Sequence, residues 1–372
     1  MSKIKNYLVV ILSSLFVFGF TIWGIILPDA QISSTERRPL STMPEVNTDT
    51  LLDKSFMTDF ESYTLDHFPL RDKFRTLKAF TSYKLLQQKD NNDLYIIDGY
   101  IVKMEYPMDT DSISHATDRF RYIYKNYLEG SDAKVYLSII PDKNAYAPKE
   151  AGYLSMDYDV FTATVREQMP YAEYIDIFPL LELSDYYRTD THWRQEKITD
   201  VADHLAQSMG TSLTKDYTKH TIDAPFYGVY YGQAALSLEP DSLVYLKNES
   251  ITSSAVYDIE SDSFIPMYDM EKLSSSDSAK ILDPYEMFLS GPNRSVLEIT
   301  NPNAQTDKEL VIIRDSYANA LAPLMTSGYK KITLVDLRKI PAAYLRNLVE
   351  FTNQDVLFLQ STLVLNYSKE IK

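Results

Sequence analysis

Three residue types needed for nucleophilic acyl chemistry stand at positions where loops can bring them together. Ser316 closes the segment Glu309-Leu-Val-Ile-Ile-Arg-Asp-Ser, an apolar run followed at once by a helical pattern. In open α/β sheets ligands bind at the carboxyl ends of strands, and a serine there lies beside the free N–H groups of the next helix. The same position also suits an ordinary helix-capping serine. A serine hydroxyl is a weak nucleophile until a base takes its proton, so a histidine is required.

The chain has five histidines: His67, His115, His192, His204 and His220. His192 follows Asp190 by two residues in Asp190-Thr191-His192-Trp193. In an extended segment that spacing puts both side chains on one side, so the carboxylate can orient one ring nitrogen while the other faces a serine. A helix-start carboxylate with an incidental histidine, or a two-ligand metal site, would use the same residues. His115, His204 and His220 have no carboxylate in such a register. Asp66-His67-Phe68-Pro69-Leu70-Arg71-Asp72 is dense in polar groups but sits at a helix break, which points to packing and docking.

The elements that must position these residues follow from hydrophobic period. Apolar runs at Lys134–Ile140, 173–178, 309–313, Lys331–Asp336 and 355–359 predict strands. Helical patterns at 112–128, Tyr158–Gln168, 194–208, 319–327 and 342–351 alternate with them, which implies a mostly parallel sheet with helices on both faces. Residues 51–88 predict two helices parted at Phe68-Pro69, and 93–103 a hairpin around Asp98-Gly99. Between about 210 and 301 the pattern weakens to an irregular insertion of loops and short strands, including a Ser/Asp-rich stretch at 274–278.

Tyr7 to Leu27 runs without a charged residue, long enough to cross a hydrocarbon core of about 30 Å. Lys3 and Lys5 before it and Asp29 after it place the short N-terminus in the cytoplasm and the rest outside. The run is longer than the apolar region of a cleaved signal and ends without a small-residue cleavage motif, so a single-pass signal anchor is expected. The expected organisation is a stub and anchor at 1–30, a linker at 31–50 and an extracytoplasmic α/β domain at 51–372. A formal charge of −15 and the lack of any Lys/Arg cluster argue against nucleic-acid binding. With no cysteine there is no disulfide or thiolate metal site, and no cofactor or metal is expected.

Taken together, several segments resemble the DHHW family, relatives of the alginate O-acetylation proteins of the SGNH superfamily. They are Glu36-Arg37-Arg38-Pro39-Leu40 with Met43-Pro44, Asp66 to Asp72, Asp190-Thr191-His192-Trp193, Tyr227 to Gly232, and Arg314-Asp315-Ser316-Tyr317-Ala318-Asn319. The resemblance implies an SGNH-hydrolase-like α/β fold with Ser316 as nucleophile, His192 as base and Asp190 as its orienter. Thr191 stands where the family name has His, and Arg314 where SGNH enzymes usually carry Gly before Asp-Ser. The implied activity is O-acetyl transfer to a secreted or cell-surface polysaccharide, with the acyl group supplied by a membrane-bound O-acyltransferase partner. A carbohydrate esterase would use the same triad, and a noncatalytic polysaccharide-assembly scaffold could retain the motifs.

Overall fold

The computed structural model describes residues 2–147, 151–273, 283–291 and 293–372; the Ser/Asp-rich stretch at 274–278 lies outside them. The chain divides into two compact units. One holds residues up to Asn92 with Tyr231–Ser237, and the other holds Asp93–Tyr230, the stretch from Leu238, and Asp283–Lys372.

The first unit begins with α1 (Ser2–Ile26), whose Ile4–Ile26 portion is long and apolar enough to cross a membrane. Helices α2 (Ser55–Asp66) and α3 (Arg71–Phe80) are separated at His67–Leu70, the break expected from Phe68-Pro69. Asp66 gathers the linker onto these helices. It accepts from Arg38 Nη1 at 2.9 Å and Nη2 at 2.5 Å and from the Ser41 N–H at 2.9 Å. Glu36 pairs with Arg71 at 2.5 Å and Arg75 at 3.3 Å. Residues 36–41, within the expected linker, are thus held by ion pairs and hydrogen bonds.

The second unit is built on an eight-stranded sheet. In chain order its strands are β1 (Lys134–Ile140), β2 (Glu173–Tyr174), β3 (Ala255–Asp258), β4 (Ser263–Ile265), β5 (Val296–Thr300), β6 (Glu309–Arg314), β7 (Lys331–Val335) and β8 (Asp355–Ser361). Their spatial order is β4-β3-β5-β7-β6-β8-β1-β2. From β7 to β2 all pairings are parallel, and β5, β3 and β4 add antiparallel pairs at one edge.

Alternation along the strands sorts side chains to two faces. Leu310 and Ile312 of β6 join Leu357 and Leu359 of β8 in one core, with α6 (Thr199–Ser208) and α7 (Ala318–Met325) supplying Val201, Leu205, Leu321 and Met325. Val311 and Ile313 join Val356 and Phe358 in the other, covered by Ile113, Phe120 and Phe161 of α4 (Thr110–Ile123) and α5 (Tyr158–Gln168). Both faces being covered explains why these strands read as unbroken apolar runs.

The short strands expected between about 210 and 301 include β3, β4 and β5, which extend the sheet at one edge. Two local expectations need correction. The strand expected at 173–178 pairs only over Glu173–Tyr174 and turns into a 3₁₀ helix at Phe178–Leu180, where Pro179 cannot donate to a ladder. The helix expected at 342–351 is a 3₁₀ helix, Ala342–Asn347.

Candidate active site

Ser316 sits in the turn between β6 and α7. The turn is fixed by the buried Asp315 carboxylate, which accepts from the Tyr317 N–H at 3.0 Å and the Ser361 N–H at 2.7 Å. Because Ser361 ends the neighbouring strand β8, this one side chain ties the serine turn to the sheet.

Asp190 and His192 lie at the tip of a narrow loop. The loop is closed by an antiparallel bridge between Tyr186 and Trp193 and by Arg194 N–H to Asp185 carbonyl at 2.8 Å. Asp241 holds its outer side, accepting from the N–H groups of Arg188 and Thr189 at 2.8 Å each. The loop is joined to the serine turn twice. Trp193 Nε1 donates to the Tyr317 carbonyl at 3.0 Å, and the Tyr317 hydroxyl donates to the Thr191 carbonyl at 2.8 Å.

The result is a continuous relay. Ser316 Oγ lies 2.8 Å from His192 Nε2, and His192 Nδ1 lies 2.6 Å from Asp190 Oδ1. An ionised carboxylate can only accept, so Nδ1 carries the ring proton and Nε2 is left to accept from the serine hydroxyl. Asp190 is fully buried, and its other oxygen accepts from the Val229 N–H at 2.9 Å. Ser316 and His192 keep partial exposure, the condition for reaching a substrate.

Other residues shape the site without having stood out in the sequence. The Tyr285 ring stacks on the His192 imidazole, with centroids 3.8 Å apart and planes 9° from parallel. Gly228 lies against Asp190 so closely that a Cβ on it would come 2.3 Å from the Asp190 Cβ. Lys143, just past the end of β1, is buried and donates to the carbonyls of Tyr187 at 3.0 Å and Arg188 at 3.3 Å. Burial brings its amine down to about 7, against the opposing pull of Asp190, Asp241 and Asp142. The polar Asp142-Lys143-Asn144 directly after a buried strand was the available signal for it.

Arg314, in place of the usual glycine, is buried, with Nη1 3.6 Å from Asp336. Burial alone would raise the Asp336 carboxyl, but hydrogen bonds from Arg338 and the Arg314 charge hold it below its ordinary value. Three of the remaining histidines have other partners: His115 faces Ser368, His220 stacks on Tyr245 and His67 binds the Ser41 carbonyl. No group of three metal-ligating side chains occurs among the described residues.

Residues 181–335 match the model of the DHHW protein family. The fold is similar to that of a DHHW family protein from Eubacterium siraeum DSM 15702, with a TM-score of 0.57 and 19% identity over 76% of this chain and 95% of that one. It is also similar to Bacillus cereus PatB1, at a TM-score of 0.52 and 16% identity over 73% and 95%, in a structure with a sulfonyl adduct. The O-acetyltransferase domain of Pseudomonas putida AlgJ superposes more loosely, at a TM-score of 0.43 and 14% identity over 73% and 92%. No curated protein sequence matches the chain. The family match and the two likenesses with TM-scores above 0.5 show the resemblance to the DHHW family and the α/β fold.

Proposed function

We propose that this protein is an extracytoplasmic O-acetyltransferase that acts on a secreted or cell-surface polysaccharide through Ser316, His192 and Asp190. The observation that carries this reading is the unbroken chain of contacts from Asp190 through both ring nitrogens of His192 to Ser316 Oγ. The DHHW resemblance supports the choice of acyl transfer, and α1 supports a membrane anchor that keeps the catalytic unit near a membrane-bound O-acyltransferase donor.

In the first half-reaction Ser316 Oγ attacks the acyl carbonyl while His192 Nε2 takes its proton. The oxyanion meets the Ser316 N–H, at a helix start where N–H groups have no intrahelical acceptor. The carbonyl–leaving-group bond then breaks, the proton passes from His192 to the leaving group, and an acyl-serine ester remains. In the second half-reaction a sugar hydroxyl gives its proton to His192 and attacks the ester, and Ser316 departs with that proton. Asp190 holds the imidazole in the tautomer that accepts at Nε2 and stabilises the imidazolium formed at each step.

The test is to incubate the full chain in detergent with a chromogenic acetyl ester, alone and with oligosaccharide acceptors, beside Ser316→Ala. Ester turnover that is lost in the variant, with acetyl found on sugar by mass spectrometry, is the expected result. Acetyl released only to water would favour the esterase. Equal behaviour of wild type and variant would overturn the triad and favour the scaffold.

A further inference from the structure

The Asp66–Asp72 motif takes no part in the proposed chemistry, yet it is packed against the apolar helix of its own unit. Phe68 stacks on Phe20 of α1 with ring centroids 5.3 Å apart and planes 5° from parallel, and Phe74 meets the same ring edge-on at 5.8 Å. Pro69 lies against Gly24, at a distance where even a Cβ would make ordinary contact, 3.6 Å from Pro69 Cδ. Further along, the Tyr63 hydroxyl donates to Asp29 at 2.8 Å, and His67 Nδ1 lies 3.8 Å from the same carboxylate.

These contacts fix two levels, one just past the end of α1 and one within it. Tyr63 and His67 stand at Asp29, the first charge after the apolar run, where aromatic and polar groups collect at a membrane–water boundary. Phe68 and Phe74 stand at Phe20, six residues before the helix ends at Ile26, which at 1.5 Å per residue is about 9 Å along the axis. The turn also leaves apolar surface uncovered. Leu70 is 52% exposed and held at φ 59°, a left-handed conformation uncommon for a bulky residue. Of the charges flanking the turn, Asp66 pairs with Arg38 and Arg71 with Glu36, while Asp72 and Lys73 are exposed. Pairing of this kind is what a segment next to hydrocarbon requires.

We propose that the Phe68–Leu70 turn inserts into the outer lipid leaflet beside α1, as a second membrane contact of the first unit. The inference rests on the reading of α1 as a membrane anchor. If Phe20 lies within the hydrocarbon, the rings packed on it lie there too, and Leu70 meets acyl chains. A lone span is free to rotate about its axis, and a second wedge fixes which face of α1 points toward the rest of its unit.

The chain lacks cysteine, so single labelling sites can be placed in the full-length protein. Leu70→Cys, Phe68→Cys and Val17→Cys, each carrying an environment-sensitive fluorophore, are reconstituted into phosphatidylcholine vesicles and checked for fold by circular dichroism. Quenching by lipids spin-labelled along the acyl chain is compared with quenching by aqueous iodide. The expected result is about a twofold loss of emission with spin-labelled lipid, and protection from iodide, at Leu70 or Phe68 as well as at Val17. Lipid quenching at Val17 with iodide quenching at both turn positions would overturn the insertion and leave the anchor standing. Iodide quenching at Val17 would overturn the anchor and the insertion together.

Discussion

The Trp193 indole donates a 3.0 Å hydrogen bond to the carbonyl of Tyr317, so the residue after the candidate base is fastened to the residue after the candidate nucleophile. Both side chains are buried, and their rings meet edge to face at 5.4 Å. Trp193→Phe keeps an aromatic ring but loses the donor. The expected cost is about 1–2 kcal/mol of stability from the unpaired carbonyl and about tenfold in kcat, with KM little changed. Thermal unfolding and steady-state ester turnover measure the two.

Asp190→Asn tests the relay separately from the fold. An asparagine that still accepts the Val229 N–H can present its NH₂ to His192 and favour the wrong tautomer. Turnover is expected to fall about a thousandfold or more, with the unfolding midpoint nearly unchanged. Activity within a factor of about three of wild type would remove Asp190 from the relay.

Gly228→Ala places a methyl group where the Asp190 Cβ already lies. Either the 226–230 segment or the Asp190 loop must move. The variant is expected to lose about 1–3 kcal/mol and most of its turnover together, since the Val229 N–H to Asp190 bond is strained by the same displacement. Unfolding and turnover measured on one preparation show whether the two losses are coupled.

Glu105 gives a pH prediction. It is fully buried, and burial pushes its carboxyl up to about 7 despite Lys103 at 3.0 Å. A raised folded value means that the folded state holds the proton more tightly. Its stabilising contribution is therefore complete below about 4.5 and lost as pH rises through about 7. The difference in stability between Glu105→Gln and wild type should grow in favour of the variant from pH 5 to pH 8, by at most about 3 kcal/mol, and then level off. Melts of both proteins at constant ionic strength provide the check; a difference independent of pH would mean that Glu105 does not titrate in this range.

The parts of this architecture that were legible in the sequence are those set by local period and backbone chemistry. Glu309 to Ile313 is apolar at every position but the first, because both faces of its strand are covered. Pro69 separated α2 from α3 because it cannot continue a helix from the preceding residue. The helix expected at Ala342 failed for a local reason as well: its 3₁₀ turns need only a few residues, and a short amphipathic pattern does not separate the two forms.

What stayed hidden depends on partners distant in the chain. Strands β3 and β4 are four and three residues long, too short to show a period, and they join the sheet through β5 some forty residues later. Tyr285 on His192 and Gly228 against Asp190 are likewise contacts between segments whose own patterns say nothing of each other.

By itself the sequence determined the apolar N-terminal helix, the strand-to-helix turn that carries Ser316, and the Asp190/His192 pair in register with one another, because each rests on neighbours within a few residues. Only the tertiary structure decided that Ser316 and His192 stand 2.8 Å apart across 124 residues of chain, and that Trp193, Tyr317 and Asp315 hold them there. That distance comes from closing loops and burying side chains against one sheet, a balance of packing and chain entropy over the whole unit that no local spacing encodes.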